Sequence, residues 1–298
     1  PNRTLMEFLH PVSPQTIKVA VFDFDGTLSL LRTGWQEIMV HLMSQVLSTG
    51  SSSRADIALP AVKSPGMPQG IQRDSPELQV YLRDVVDNST GRQTIDQMQL
   101  LAQFEQGLDP DTPASGDGRL LERALELKAI YLGRLKNQMG SRLQSLRLGT
   151  LPASDFLVCG AADFLGWLAS KGVKLCLISG TDQECVVTEA ELLGIRRFFG
   201  DMIFGGLDVA GAFTKYQAMQ QVIVSCAADK SQVLTFGDGI MDIRSARDAG
   251  VFAVGVASDE IKRAGVNPVK RKQLIDAGAE AIIGDYDNFE DWIGKIML

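Results

Sequence analysis

The sequence predicts an α/β fold, a doubly wound parallel sheet broken by one long helical insertion. Three observations predict it. Short apolar runs rich in β-branched residues recur at 17–22, 173–178, 202–204, 233–236, 252–256 and 281–283. Between most of them, at 161–170, 182–193 and 216–227, apolar residues fall at helical spacing. Such alternation implies parallel strands, right-handed crossovers and helices on both faces. Between the first run and the second, from 30 to 151, no convincing strand is found.

The first strand ends abruptly in Asp23-Phe-Asp25-Gly-Thr27. Side chains i and i+2 of a strand share a face, so Asp23 and Asp25 converge where the strand runs out if its extended geometry persists. Parallel sheets bind ligands just outside the carboxyl ends of their strands. Two carboxylates there can hold a hard cation, supply a nucleophile, or divide acid and base work. A plain Asp-Gly turn is the competing reading.

The insertion reads as helical. Trp35, Ile38, Met39, Leu42, Met43 and Val46 keep helical spacing; Leu78, Val80, Tyr81, Val85 and Val86 do so less regularly. The segment Gly118–Leu148 has few breakers and reads as one long or kinked helix. Residues 48–70, rich in Ser, Pro and Gly, read as a long loop. The expected organisation is a discontinuous core of residues 1–29 and 152–298, and a helical cap of residues 30–151. An insertion beside a catalytic strand end suits a lid that excludes water; an independent helical domain is the alternative.

Two later strand ends carry chemistry. The run 173–178 leads into Ser179-Gly-Thr-Asp182, where a hydroxyl and backbone N–H groups at a helix start make an anion site, or where Thr181 or Asp182 simply caps the helix. The run 233–236 leads into Gly237-Asp-Gly-Ile-Met-Asp242, with Asp238 at the strand end and Asp242 one helical turn on. Another carboxylate cluster beside the first would be repulsive unless a cation neutralised it. Oxygen donors without His or Cys favour Mg²⁺ over zinc. Lys215 precedes the helix leading to Asp238; Lys230, at that helix's far end, is the competing cation.

Composition sets bounds. The chain of 298 residues is 45% hydrophobic and 22% charged, ordinary for a globular protein. A net charge of −7 gives no basic footprint for nucleic acid, and an anionic substrate then needs local compensation. Cys159, Cys176, Cys185 and Cys226 show no metal-ligand spacing and read as buried thiols of a reducing compartment. His10 and His41 are too few for zinc or a Ser-His-Asp arrangement. No apolar run approaches the roughly 20 residues that span a bilayer, and residues 1–15 lack a signal peptide's apolar core. A cytoplasmic protein without membrane or nucleic-acid partners is expected, its oligomeric state open.

Taken in order, Asp23-x-Asp25-Gly-Thr, Ser179-Gly-Thr, Lys215 and Gly-Asp238-Gly-x-x-Asp242 resemble the haloacid dehalogenase superfamily, over about residues 16–29 and 152–290. Leu193-Gly-Ile-Arg-Arg-Phe-Phe and Gly278-Ala-Glu-Ala-Ile-Ile are similar to its phosphoglycolate-phosphatase-like branch. The resemblance implies a Rossmann-like core with a cap between the first two motifs. It also implies a Mg²⁺-dependent phosphatase acting on a small phosphorylated metabolite through an aspartyl-phosphate. Asp23 matches the nucleophile, Asp25 the general acid/base, Ser179 the hydroxyl on the transferring phosphoryl group and Lys215 the lysine paired with it. Asp23, Asp25, Asp238 and Asp242 are the expected metal residues; Thr27 and Gly180 are expected near the phosphoryl oxygens. From the cap, Arg32, Trp35 and Arg92, the last in Asn88-Ser-Thr-Gly91-Arg92, are expected to meet the substrate. A phosphosugar mutase shares every core residue, and a phospho-ligand sensor or partner-binding module that keeps the site without turnover is the reading from outside enzymology. Asp25 argues against carbon–halogen cleavage. Phosphonate hydrolysis would need a cap lysine, for which Lys63 is the formal candidate.

Overall fold

The computed structural model describes residues 6–49, 56–57, 71–72, 75–108, 118–207, 214–263 and 265–298. In chain order its elements are β1 (Glu7–Phe8), β2 (Val19–Phe22), α1 (Trp35–Thr49), β3 (Asp56–Ile57), β4 (Ile71–Gln72), α2 (Pro76–Asn88), α3 (Thr94–Gln106) and α4 (Gly118–Leu148). There follow α5 (Ala161–Ser170), β5 (Lys174–Asp182), α6 (Gln183–Leu192), β6 (Ile203–Gly206), α7 (Lys215–Ser225), β7 (Val233–Gly237), α8 (Ile240–Ala249), β8 (Phe252–Val256), α9 (Pro268–Ala277), β9 (Ala281–Ile283) and α10 (Glu290–Ile293).

The main sheet has the order β1-β9-β8-β7-β2-β5-β6, parallel except for β1 at its edge. From β2 the chain builds outward through β5 and β6, then returns to the other side of β2 for β7, β8 and β9. The direction of winding therefore reverses beside β2, the switch point where open α/β sheets place their ligand crevice. Val19 pairs with both Lys174 and Val233, and Phe22 with both Leu177 and Phe236, so three strand ends finish level with one another.

Strict alternation splits the sheet residues between two buried layers. Ala20, Phe22, Leu175, Leu177, Leu234, Phe236, Val254 and Val256 face one side. Val19, Val21, Cys176, Ile178, Val233 and Ala253 face the other, against α7, α8 and α9. Phe22 stacks on Phe236 at 4.8 Å between ring centroids, and Phe164 packs against both and against Tyr286, Phe289 and Trp292. This aromatic layer lies directly beneath the end of β2.

The six expected strands are present. β5 runs four residues past its expected end at Ile178, through a bulge between Ile178 and Asp182 that restores pairing with Gly206. β1 went unforeseen because two residues carry no readable alternation. Among its described residues the insertion's regular structure is helical apart from a two-residue antiparallel ladder between β3 and β4. Gly118–Leu148 forms one helix as expected; α3 was not foreseen, since the turn before it drew attention as a loop. Most of the loop expected at 48–70, and Lys63 within it, lie outside the described residues. All four cysteines are free, but only Cys176 is buried: Cys159 is exposed and the other two are half-buried. No helix among the described residues is long and apolar enough to cross a membrane.

Phe164 is fully buried and touches most of the aromatic layer. Phe164→Ala is expected to lower unfolding free energy by about 3–5 kcal/mol, as cavity-forming aromatic truncations do, read from urea denaturation followed by far-UV circular dichroism.

Candidate active site

The loop after β2 separates the two carboxylates that the strand ends with. Asp23 N–H still donates to Phe236 O at 2.9 Å, so Asp23 keeps the ladder. The chain then closes tightly: Gly26 N–H donates to Ser29 O at 2.8 Å, Leu28 and Ser29 N–H donate to Phe24 O, and Gly26 has φ +75°. A left-handed residue in that position suits glycine. Beyond β2, Asp25 makes only an isolated bridge to Ser29, and the carboxylates of Asp23 and Asp25 take different partners.

Asp23 joins a buried acidic cluster. Carboxylate oxygens of Asp23, Asp238 and Asp242 lie within 4.8 Å of one another; among the described residues Asp25 is not part of this group. Asp238 follows the end of β7, and Asp242 sits in the first turn of α8, where Gly239 N–H donates to its Oδ2 at 3.0 Å. Lys215, the first residue of α7, bridges Asp23 and Asp242 with its ammonium group. Thr27 Oγ1 lies between Asp23 Oδ2 and Asp238 Oδ1, at 3.3 and 3.4 Å. Lys270, in α9, donates to Asp238 Oδ2 at 2.6 Å and to Glu260 Oε1 at 2.8 Å.

Burial dominates the electrostatics of this cluster. It pushes Asp23 up to about 6, with Asp242 adding to the rise and Lys215 opposing it. Burial likewise raises Asp238 to about 6 against the pull of Lys270, and raises Asp242 against Lys215. Burial alone would lower Lys215 and Lys270, but the facing carboxylates outweigh it and hold both ammonium groups charged.

Asp25 belongs to a second network. Its Oδ2 accepts a hydrogen bond from Thr181 Oγ1 at 2.7 Å. Its Oδ1 is shielded from solvent and has no hydrogen-bond partner; the nearest cation atom, Arg32 Nε, is 3.6 Å away. Arg32 is instead bonded to Glu189, Nε to Oε2 at 3.0 Å and Nη2 to Oε1 at 2.6 Å. Burial raises Asp25 to about 7; Arg32 and Thr181 oppose the rise, while Glu189 and Asp23 reinforce it.

A cavity of about 50 Å³ joins the two networks. Asp23, Asp25, Ser179, Gly180, Lys215 and Asp238 line it from the sheet side. Thr27 and Asp242 stand behind them through their bonds to that set. Ser179 is buried, and its Oγ accepts Thr181 N–H at 3.1 Å. From the insertion come half-buried Trp35, buried Gln97 and Tyr131, and the exposed Arg92. The turn carrying Arg92 lies hard against the core: a Cβ on Gly180 would stand 2.3 Å from Arg92 O, and Gln93 Oε1 accepts Leu207 N–H at 2.8 Å. Arg32 reaches the cavity wall, but Glu189 holds its guanidinium.

Sequence reasoning missed Lys270 and Glu189, and both left a signal. Lys270 is in the first turn of α9, where the helix dipole disfavours a cation; an acidic partner was implied. Glu189 interrupts the apolar stripe of Val186, Ala190 and Leu193, all buried, and a charge there requires a buried partner.

Comparison with known proteins agrees with this geometry. The chain is 28% identical over 149 residues to phosphoglycolate phosphatase of Escherichia coli strain K12, covering 50% of this chain and 52% of that protein. It is 26% identical over 129 residues to phosphoglycolate phosphatase of Synechococcus elongatus, covering 43% and 55%. The chain thus spans about half the length of the curated relatives it matches. A hydrolase structure from Pseudomonas syringae superposes with a TM-score of 0.57 at 17% identity, covering 94% of this chain and all of that one, a likeness of fold. Residues 17–250, which include every sheet-side residue of the cavity, match the haloacid dehalogenase-like hydrolases, and the chain belongs to that family.

Proposed function

We propose that this protein is a Mg²⁺-dependent phosphatase that hydrolyses a small phosphate monoester through an aspartyl-phosphate on Asp23. The observation that carries the reading is the separation of Asp23, in a buried carboxylate cluster, from Asp25, in a network of its own, with both residues lining one cavity. The names of the matched relatives point the same way.

The donor set suits a hard divalent ion. Asp23, Asp238 and Asp242 offer only carboxylate oxygens, close together and buried, the chemistry Mg²⁺ prefers. When bound, the ion would offset the charges of substrate and carboxylates and polarise a phosphoryl oxygen.

The remaining work falls to side chains. The Asp23 carboxylate attacks phosphorus; its O–P bond forms as the bond to the leaving oxygen breaks. Asp25, in its protonated form, gives its proton to that oxygen. A water then loses a proton to Asp25 and attacks the phosphoryl group. The P–O bond to Asp23 breaks, and inorganic phosphate and the starting carboxylate are regenerated. Lys215 orients the Asp23 carboxylate and adds positive charge beside the phosphoryl oxygens. The Ser179 hydroxyl and the Gly180 backbone donate to those oxygens.

Wild-type protein with Mg²⁺ is expected to release inorganic phosphate from p-nitrophenyl phosphate, and chelation by EDTA to abolish release until Mg²⁺ is restored. Asp23→Asn is expected to cost at least about 10³-fold in kcat, the scale of losing a nucleophile. Persistent turnover by that variant would remove Asp23 from the role. Isomerised sugar phosphate in place of free phosphate would favour a mutase; tight binding without turnover across a broad ester panel would favour a sensor.

Arg92 is the exposed cation at the cavity's edge. For anionic leaving groups, Arg92→Ala is expected to raise KM by about 10-fold or more with a smaller change in kcat, matching loss of one charge-assisted contact. Unchanged KM across the anionic esters turned over by wild type would refute that assignment.

A further inference from the structure

Asp25 Oδ1 is a buried acceptor with no hydrogen-bond partner, and a guanidinium stands 3.6 Å from it. Arg32 Nε is too far for a hydrogen bond to Asp25, although no large movement would be needed to make one. What holds it back is Glu189, which takes Nε at 3.0 Å and Nη2 at 2.6 Å in a two-point grip. Planar fork-to-carboxylate pairing of this kind fixes orientation as well as distance.

Folding gives this pair little reason to exist. Glu189 and Arg32 are both buried, and a buried ion pair is often no more stabilising than apolar side chains of similar volume. Glu189 also interrupts an otherwise apolar helix face. The pair does have a consequence at the cavity: it divides the attraction of Arg32 between two carboxylates and leaves one oxygen of Asp25 uncommitted. Thr181 anchors the other oxygen at 2.7 Å, so Oδ1 is the oxygen without a hydrogen bond, shielded from solvent in a residue that lines the cavity.

We propose that Glu189 is a positioning residue whose grip on Arg32 keeps the guanidinium from hydrogen-bonding Asp25, so that Asp25 Oδ1 stays free to bond the leaving-group oxygen. The proposal rests on the phosphatase reading above and adds to it a residue outside the sequence motifs. Without the Glu189 charge, Arg32 turns to the nearer remaining carboxylate and occupies Oδ1. Proton delivery to the leaving oxygen then fails, and poor leaving groups suffer most.

The test is the slope of log kcat/KM against leaving-group pKa over substituted phenyl phosphates, from p-nitrophenyl to phenyl phosphate, with Mg²⁺ present. Glu189→Gln is expected to steepen the slope, losing about 10-fold or more on phenyl phosphate while p-nitrophenyl phosphate changes by less than about 3-fold, a fraction of what general acid catalysis supplies. Adding Arg32→Met to Glu189→Gln removes the competitor for Oδ1, and the slope is expected to return toward that of wild type. A wild-type slope in Glu189→Gln overturns the proposal. So does a double variant as steep as the single one, because the steepening is assigned to Arg32 on Oδ1; a merely structural loss would lower all the esters together and leave the slope unchanged. If Glu189→Gln does not fold, Glu189→Asp replaces it: its shorter carboxylate cannot keep both bonds in place, a steeper slope is expected, and a wild-type slope overturns the proposal. Asp25→Asn and wild type run alongside. Absence of phosphate release from wild type would sink the phosphatase reading itself. Normal release by wild type, loss in Asp25→Asn and an unaltered slope in the Glu189 variants would sink only the role of Glu189.

Discussion

The bridge from Lys215 to Asp23 and Asp242 is the interaction on which the site depends. Three carboxylates within 4.8 Å of one another cannot all be ionised in a buried place without cations among them. Lys215 and Lys270 answer from opposite sides, one on Asp23 and Asp242, the other on Asp238. Both are held charged by the acids they neutralise, so each side of the cluster maintains the ionisation of the other. A lysine at the first residue of α7 can play this part only because β2 and β7 are neighbours, with Phe22 and Phe236 in register. The stacked rings of those two residues set the height at which Asp23 and Asp238 emerge. Aromatic packing beneath the site and charge pairing within it are thus two layers of one constraint.

The second carboxylate of the first motif obeys a different logic. Asp23 stays on the ladder through its bond to Phe236, while Asp25 makes only an isolated bridge to Ser29 across the turn that follows at Gly26. Two residues adjacent but one in sequence therefore meet different environments, an ion cluster and a cavity wall crowded by Arg32, Thr181 and Glu189. Unequal surroundings are what allow paired carboxylates to take unequal roles.

Much of this was legible in the sequence. β-branched runs ending in Asp, Ser or Gly marked the carboxyl edge of the sheet, and Asp23, Ser179, Lys215, Asp238 and Asp242 do come together there. Asp25 was expected with Asp23 among the metal residues; its carboxylate stands outside the cluster of Asp23, Asp238 and Asp242, and alternation along a strand says nothing about the turn that follows it. Glu189 acts through Arg32, 157 residues away, and Lys270 through Asp238, 32 residues away, and no local spacing announces such a pairing. Their signals were conflicts, a cation in a helix's first turn and an acid in an apolar stripe, and a conflict reports that a partner exists without saying which. α3 was hidden for another reason: the turn before it reads as a loop, and no side-chain cap marks where the helix begins.

The seam between Gly180 and Arg92 is made of backbone. A carbonyl of the inserted turn rests where a side chain on Gly180 would have to be, and Thr90 O accepts Met241 N–H at 3.4 Å close by. A seal built from main-chain atoms is indifferent to which side chains flank it. A substitution at Arg92 or Trp35 would therefore change the side chains that face the cavity without disturbing this contact, whereas any side chain on Gly180 would collide with the Arg92 carbonyl and push the inserted turn away from the core.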